Sequence, residues 1–446
     1  MLSKPSAGYT VLILGILISL AATLASPEIY HHWDLNAFWK WSQQWDRGWR
    51  DVYRNCRECN YPIVGMAGSA GVMSRLGDNA GEAIARFRIV LAVVDGLNVL
   101  LLFGLFRKLA VPNAAFWAGI VGLLFSSWTG GALWGQIDGI LQCFILLTLF
   151  WMVSNTQKPQ NPLRRMLLLL VGSALMACAL LTKQLALFSL PSLGLLLATI
   201  VVFSARNWRS AALTLALAGV CLVACLLVAD VFLRLPAPYR SHLYYIFKTG
   251  SDQGDEIARN GFNLWIFLGR PMRSSSHVAI FLKAATPLAA ILTPYNVGFF
   301  LFSATNLILG ASQLLFLRTR FLKGETAPDR ETLLSLILHL ALVNLSFNVF
   351  LTGTHERYLY HFYPYAILAC LGLKAYSHRF SNTTLGLLIA GAVLYGLFVL
   401  GVLVGMISLQ KTGVTMIVGI YHAMLWGYLF VVVLNYQQVW RSLRKH

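Results

Sequence analysis

The sequence predicts an all-α, polytopic membrane protein, and three observations support that fold class. Of the 446 residues, 57% are hydrophobic and only 12% are charged, whereas about a quarter are charged in an ordinary soluble domain. Apolar stretches of about 20 residues, each long enough to cross the hydrocarbon core, recur along the whole chain. Basic residues concentrate in alternate short connections, as the positive-inside rule requires. These observations exclude a soluble domain of independent size.

The hydropathy pattern predicts about twelve transmembrane helices within a single domain, residues 1–446. A long first loop at 26–87 carries amphipathic helices, and a second long loop lies at 233–295. The first apolar run also resembles a secretory signal, but the amphipathic segment directly after it favours an uncleaved helix. The expected spans are 8–25, 88–106, 113–130, 139–154, 166–182, 187–203, 211–232, 296–317, 332–352, 362–378, 384–408 and 413–436.

Charge in the short loops predicts the orientation. With the N-terminus in the cytoplasm, 17 Lys or Arg residues fall on the inner side, and only Lys183, Arg357 and Lys411 fall in short outer connections. Of the other 15 basic residues, 14 lie in the two long loops and Arg88 lies at the first position of the second predicted span. Long loops translocate largely regardless of charge. Membrane topology therefore explains most of the formal charge of +18, and no nucleic-acid partner is predicted. Both long loops are predicted to be non-cytoplasmic.

The first long loop is predicted to begin with an interfacial helix. Phe38, Trp41, Trp45 and Trp49 recur every three or four residues, which places them on one helical face. Tryptophan is favoured at the membrane interface, so we expect this helix to lie there. Asp34 stands where the first span leaves the membrane. An N-cap and a catalytic carboxylate are both consistent with that position.

Polar residues also follow three later spans at their outer ends. Asp138, after a Trp-Gly-Gln-Ile run, is again either a cap or a functional carboxylate. Lys183 lies in a short outer loop, so it either has an anionic partner or snorkels toward water. The stretch 355–358, His-Glu-Arg-Tyr, follows the ninth span. Ionisable residues at membrane depth are functional candidates by default.

Two other features have simpler interpretations. Cys56 and Cys59 in the first loop are interpreted as a disulfide or as two idle thiols, because no second ligand pair of matching spacing supports a metal site. Asp95 lies within the second span, and we interpret it as making a polar packing contact with Asn98.

Together these residues resemble the membrane-embedded glycosyltransferases of the GT-C class, and most closely the bacterial relatives of the GPI mannosyltransferases. Eukaryotic members often carry an Asp-x-Asp pair in the first loop, where this chain has Asn36, so no metal and no cofactor are predicted. The resemblance implies a bacterial inner membrane with the active site on the non-cytoplasmic side. The matching pieces are Trp33-Asp34, Asn60-Tyr61-Pro62, Trp134-Gly135-Gln136-Ile137-Asp138, Lys183-Gln184 and His355-Glu356-Arg357-Tyr358.

The resemblance implies an inverting transfer of a hexose, with mannose a candidate, from a polyprenyl-phosphate sugar to a hydroxyl of a lipid, glycan or protein. Such a reaction needs a carboxylate to accept the hydroxyl proton, for which Asp34 and then Asp138 are predicted. Cations stabilise the departing phosphate, a role predicted for Arg357, Lys183 and His355. The other predicted site residues are Glu356, Tyr358, Gln136, Gln184 and Tyr61.

The competing prediction is a polytopic transporter or flippase for a lipid-linked or anionic substrate. Transporters commonly bind near the bilayer midplane and contain repeated halves, whereas here the charges concentrate at the outer boundary and no repeat is evident. An accessory subunit with an inactive transferase fold is also consistent with the sequence. The expected partners are a polyprenyl-phosphate sugar donor, a hydroxyl acceptor and the lipid bilayer.

Overall fold

The computed structural model describes residues 5–55, 59–156, 162–204, 208–237, 239–258, 261–268, 274–280, 291–322, 325, 327–407 and 412–437. The predictions on Cys56 and Lys411 lie outside these residues. Within them the regular structure is helical, apart from an isolated bridge between Glu256 and Ser275. The all-α prediction is confirmed for this part of the chain. The chain divides into two compact units, residues 1–250 and 251–446.

The first unit holds long apolar helices and a set of short helices in the predicted outer loops. Two π-helical segments, Ala67–Gly71 and Thr129–Leu133, interrupt it. Its described α-helices are α1 (Pro5–Ala25), α2 (His32–Trp45), α3 (Trp49–Asn55), α4 (Ile63–Met66), α5 (Ala80–Lys108), α6 (Ala114–Leu123), α7 (Phe125–Trp128), α8 (Asp138–Thr156), α9 (Pro162–Thr182), α10 (Ala186–Ser204), α11 (Trp208–Phe232) and α12 (His242–Gln253).

The second unit has fewer elements and a buried central helix. Its 3-10 helices are Leu264–Leu268 and Glu356–His361. Its described α-helices are α13 (Pro294–Leu322), α14 (Arg330–Phe350), α15 (Tyr363–Leu373), α16 (Asn382–Leu403) and α17 (Thr412–Tyr436). The apolar 18-residue stretch of α14 is completely buried within the protein. Polar side chains on α14 therefore face protein, as where Trp426 Nε1 donates to Ser346 Oγ at 2.9 Å.

Ten of the described helices are long and apolar enough to cross a membrane, six in the first unit and four in the second. The protein is therefore a multi-pass membrane protein. Two of the predicted spans differ. The third is bent by 73° between Ala114–Leu123 and Ser126–Leu133, and counting this pair as one broken span gives eleven. The tenth, predicted at 362–378, is only the 11-residue helix α15.

The short α15 has a local cause. Pro364 lies at its beginning, and a 3-10 helix over Glu356–His361 precedes it. Proline fits the first turn of an α-helix but lacks the N–H that an interior position needs, so it favours a helix that starts there. Eleven residues of α-helix rise about 16 Å, roughly half the hydrocarbon thickness. The average hydropathy of residues 362–378 does not reveal where the α-helix begins and ends.

The amphipathic helix predicted in the first loop is present but shorter than expected. It ends at Trp45, and α3 begins at Trp49 after a turn in which Gly48 has a φ of +142°. That backbone conformation favours glycine. Phe38 and Trp41 are buried, and both pack against the ring of Tyr61, with centroids 5.8 and 5.7 Å apart. The aromatic face of α2 therefore packs on protein.

Candidate active site

Asp34 lies in the first turn of α2 and does not cap it. The helix begins at His32, and its N-cap is His31, whose side chain makes no capping hydrogen bond. The capping interpretation of Asp34 is therefore wrong. The carboxylate is buried and instead accepts a hydrogen bond from Trp134 Nε1 at 2.8 Å, through Oδ2. A buried carboxylate bound by a donor 100 positions away is set by tertiary structure, not by its own helix.

His31 forms a second contact with Asp34. Its Nδ1 lies 2.9 Å from the same Oδ2 but outside hydrogen-bond angles, so the contact is an ion pair only when the ring is protonated. The imidazole stacks on the indole of Trp134, with centroids 4.5 Å apart and planes 18° apart. The backbone N–H of His31 also donates to the carbonyl of Trp134 at 3.1 Å. The His31 side chain is 27% exposed against 8% for Asp34, so the imidazole is the more solvent-accessible member of the pair.

The Trp-Gly-Gln-Ile-Asp segment adopts a conformation that requires its glycine. Gly135 has a φ of +92°, and a Cβ built there would lie 2.5 Å from the side chain of Leu35, next to Asp34 in α2. The segment also depends on Asp95 in α5, which accepts hydrogen bonds from the Ala132 N–H at 3.1 Å and Ser19 Oγ at 2.7 Å. These contacts fix the backbone that presents Trp134.

Asp95 and Asn98 both bind the segment that precedes or begins α8. Asn98 Nδ2 donates to the carbonyl of Gly139 at 2.9 Å, while Asp95 binds the preceding π-helical segment. The two side chains, about one turn apart on α5, thus hold the two ends of the segment that leads into α8.

Arg88 in α5 joins the same region to the end of the first span. Its guanidinium donates to the carbonyls of Pro27 at 2.6 Å, Ile29 at 2.9 Å and Ser26 at 3.2 Å, and to that of Ala132 at 3.4 Å. The side chain is buried. It therefore ties the α1–α2 connection, which carries His31, to the segment that carries Trp134.

Asp138 and Lys183 form a buried ion pair in the first unit. Lys183 Nζ lies 2.7 Å from Asp138 Oδ1, and the two side chains are 1% and 0% exposed. Asp138 is the first residue of α8, and Lys183 directly follows α9. Lys183 therefore has an anionic partner within the protein, and the snorkelling interpretation is wrong.

Tyr61 and Gln136 lie beside this pair. The ring centroid of Tyr61 is 5.5 Å from Lys183 Nζ, and its hydroxyl donates to Gln136 Oε1 at 2.7 Å. Tyr53 supports Tyr61 from α3 by donating to its carbonyl at 3.0 Å. Burial raises the pKa of Tyr53 well above its ordinary value, so its hydroxyl stays a donor. Cys59 nearby is disulfide-bonded.

The His-Glu-Arg-Tyr stretch belongs to the second unit. Arg357 is 7% exposed, its Nη1 lies 3.4 Å from His355 Nδ1, and its guanidinium carbon is 5.8 Å from the ring centroid of Tyr358. Tyr395 Oη donates to the Arg357 carbonyl at 3.1 Å. The Glu356 side chain lies outside the described residues. The stretch thus presents a buried guanidinium flanked by an imidazole and an aromatic ring.

A polar clamp holds the backbone before this stretch. Asn263 Nδ2 lies within 3.1 Å of three acceptors, the carbonyls of Ile257 and Leu351 and the hydroxyl of Thr354. Trp265 Nε1 donates to the carbonyl of Phe350 at 2.6 Å, at the end of α14. The turn from α14 to His355 is therefore braced by residues of the second long loop.

Several residues around the site are absent from the sequence prediction. His31 and Arg88 show no motif, and Trp134 belongs to a matched motif without an assigned role. The one available signal was Arg88 itself, since a basic residue at the edge of an apolar helix is rare without a purpose. Among the described residues, no group of three or more His, Cys, Asp or Glu side chains lies close enough to bind a metal ion.

Comparisons with known proteins give a distant likeness. No protein family and no curated protein matches the chain. It is similar to two crystal structures of ArnT from Cupriavidus metallidurans. The structure bound to undecaprenyl phosphate is 16% identical with a TM-score of 0.46, covering 96% of this chain and 77% of that one. The apo structure is 16% identical with a TM-score of 0.41, covering 98% and 78%. Likeness at this level does not show a family.

Proposed function

We propose that this protein is a membrane glycosyltransferase that moves a hexose, with mannose a candidate, from a polyprenyl-phosphate carrier to a hydroxyl acceptor. The observation on which the proposal depends is the environment of Asp34. A carboxylate buried at the end of the first span is held by an indole N–H and lies beside a partly exposed imidazole. A buried carboxylate that is not the N-cap of its own helix, and whose donor lies in a distant segment, suits a reactive role.

In the proposed reaction Asp34 is the general base. The acceptor oxygen forms a bond to the anomeric carbon as the bond from that carbon to the phosphate oxygen breaks, and the hydroxyl proton moves to Asp34. The sugar is then inverted at that carbon, and the polyprenyl phosphate leaves as an anion. A general base of this kind contributes about 10²–10⁴-fold to the rate. Trp134 keeps the carboxylate in one orientation, and orientation is a large part of such catalysis.

In this proposal Arg357 binds the departing phosphate, and His355 lies beside Arg357. Guanidinium groups bind phosphate through two parallel N–H bonds, which a Lys ammonium does not reproduce. Lys183 was predicted for the same role, but its charge is neutralised by Asp138 at 2.7 Å. We therefore propose that the Asp138–Lys183 pair acts as a neutral unit, and that Asp138 is not a second base.

Incubation of the purified protein in nanodiscs with radiolabelled polyprenyl-phosphate mannose, glucose and galactose, together with membrane lipids, tests the proposal. We expect sugar to pass to an acceptor for at least one donor, with release of polyprenyl phosphate. The same preparation in sealed vesicles measures movement of the labelled donor between leaflets. Movement without any sugar transfer would instead support the flippase.

A further inference from the structure

Two buried side-chain amides, adjacent in sequence to the Asp138–Lys183 pair, have hydrogen-bonding atoms with no partner among the described residues. Among the described residues, neither the Nε2 nor the Oε1 of Gln184 has a partner, and the side chain is 3% exposed. Gln136 is 1% exposed, and its Nε2 likewise has no partner, although its Oε1 accepts from Tyr61. Most buried polar atoms in folded proteins are hydrogen-bonded. Two exceptions in one neighbourhood require an explanation.

The ion pair brings the two amides into the same neighbourhood. Gln184 directly follows Lys183, and Gln136 lies two residues before Asp138. Gly65 packs against both segments, because a Cβ built on it would clash with the carbonyl of Thr182 and would lie 3.1 Å from Ile137 Cδ1. The segments that carry the two amides are therefore packed together, and we refer to the amides, the ion pair and Tyr61 as the cluster.

The chemistry of the cluster suits hydroxyl groups better than phosphate. A side-chain amide offers two donors and an acceptor, and a sugar hydroxyl both donates and accepts. The ion pair adds no net charge, whereas a phosphate dianion would demand an excess of cations. The ring of Tyr61 offers an apolar surface beside these polar atoms. Apolar walls with a few fixed polar groups are the usual composition of a small-molecule site.

We infer that Gln136 and Gln184 form a subsite that recognises the hydroxyls of a sugar ring and thereby determines which sugar is used. This inference rests on the proposed transferase function and assigns the substrate class of this part of the site. The donor sugar and a sugar on the acceptor share the chemistry, so the experiment has one arm for each.

The donor arm measures equilibrium binding of radiolabelled polyprenyl phosphate and of its mannose, glucose and galactose conjugates to the protein in nanodiscs. For each hexose, the dissociation constant of sugar-free polyprenyl phosphate divided by that of the conjugate isolates the contribution of the sugar. We expect Gln184→Leu and Gln136→Leu each to reduce that ratio by about tenfold, the effect of one lost buried hydrogen bond. Binding of sugar-free polyprenyl phosphate should be unchanged. The matched control is Gln43→Leu, an exposed glutamine on α2.

The acceptor arm measures binding of methyl mannoside, methyl glucoside and methyl galactoside to the same variants. A tenfold loss there, with the donor ratio unchanged, assigns the subsite to a sugar of the acceptor. The thermal midpoint provides a readout independent of ligand. Leucine removes the unpaired polar atoms at similar volume, so a ligand-binding role predicts an unchanged or higher midpoint for Gln184→Leu.

Three outcomes decide against the inference. If the variants change neither the donor ratio nor the binding of the methyl glycosides, the inference is overturned and the transferase proposal stays intact. A lower thermal midpoint without any change in sugar binding assigns the amides to the structure of the fold. A wild-type protein that binds neither polyprenyl phosphate nor its hexose conjugates, and transfers no sugar, overturns the proposed function and this inference together.

Discussion

Asp34 and Asp138 are both buried carboxylates in the first turn of a helix, but their partners differ. Asp34 receives the indole N–H of Trp134 and lies beside His31, which is charged only when protonated. Asp138 contacts the ammonium of Lys183 at 2.7 Å, and both side chains are almost completely buried. A charge next to a permanent opposite charge is stabilised as an ion and is a weak proton acceptor. Partner chemistry therefore distinguishes two residues that the sequence pattern treats alike.

The comparison predicts its largest effect for Asp34→Asn. If Asp34 is the base, turnover falls by about 10²–10⁴-fold, because the amide cannot accept the proton. The fold should persist, since the amide oxygen still accepts from Trp134. Turnover with the active donor and the thermal midpoint are measured on the same preparation. Near-normal turnover would return Asp34 to a structural role.

The second prediction concerns stability at the other carboxylate. Lys183→Met removes the cation that contacts the buried carboxylate of Asp138, and breaking a buried ion pair by removing one partner typically costs about 3–5 kcal/mol. The double variant Asp138→Leu, Lys183→Met removes both charges and should recover most of the loss. Unfolding in denaturant measures the coupling between the two sites. Additive effects in the double variant would contradict a direct pair.

The third prediction extends the comparison to the cations. The charge of Lys183 is balanced by Asp138, so we expect Arg357 to bind the phosphate. Arg357→Lys keeps the positive charge but loses the two parallel N–H bonds of the guanidinium. Turnover should fall by about tenfold or more, and by more than donor affinity, because the contact strengthens as the sugar leaves. Turnover and donor binding are compared directly, with the melting temperature as a control. An unchanged turnover number in a stable variant excludes Arg357 from the phosphate site.

The smallest effect is expected for Trp134→Phe. The variant keeps the aromatic stack with His31 but loses the N–H bond to Asp34, a charge-assisted hydrogen bond worth about 1.5–3 kcal/mol. We expect kcat to fall by about tenfold with KM nearly unchanged, since the indole positions the base and is not assigned to the substrate. Trp117→Phe in α6 is the matched control. A rise in KM alone would assign Trp134 to substrate binding.

Much of this architecture could be predicted from local sequence. Apolar length identified the long helices, and the three-to-four-residue spacing of aromatics identified α2. The position of Lys183, a lone basic residue in a loop predicted to be outer, indicated an anionic partner, and the structure provides one in Asp138. Each inference uses a pattern contained within one segment, which explains its success.

What could not be predicted depends on contacts between distant segments. The environment of Asp34 comes from Trp134, 100 positions later. The carbonyl of Trp134 in turn accepts from the His31 N–H, a backbone contact that side-chain identity does not reveal. The 3-10 turn before α15 and the bend after α6 depend on backbone geometry in stretches whose average hydropathy resembles a span. Periodicity and composition do not report such geometry.

The guanidinium of Arg88 has a consequence for biogenesis. Three of its four carbonyl acceptors, those of Ser26, Pro27 and Ile29, precede it in the chain, and only Ala132 follows. During synthesis the first two membrane helices can therefore enclose this charge before the third hydrophobic segment leaves the ribosome. Insertion of α5 into lipid without α1 would leave the cation without those three acceptors.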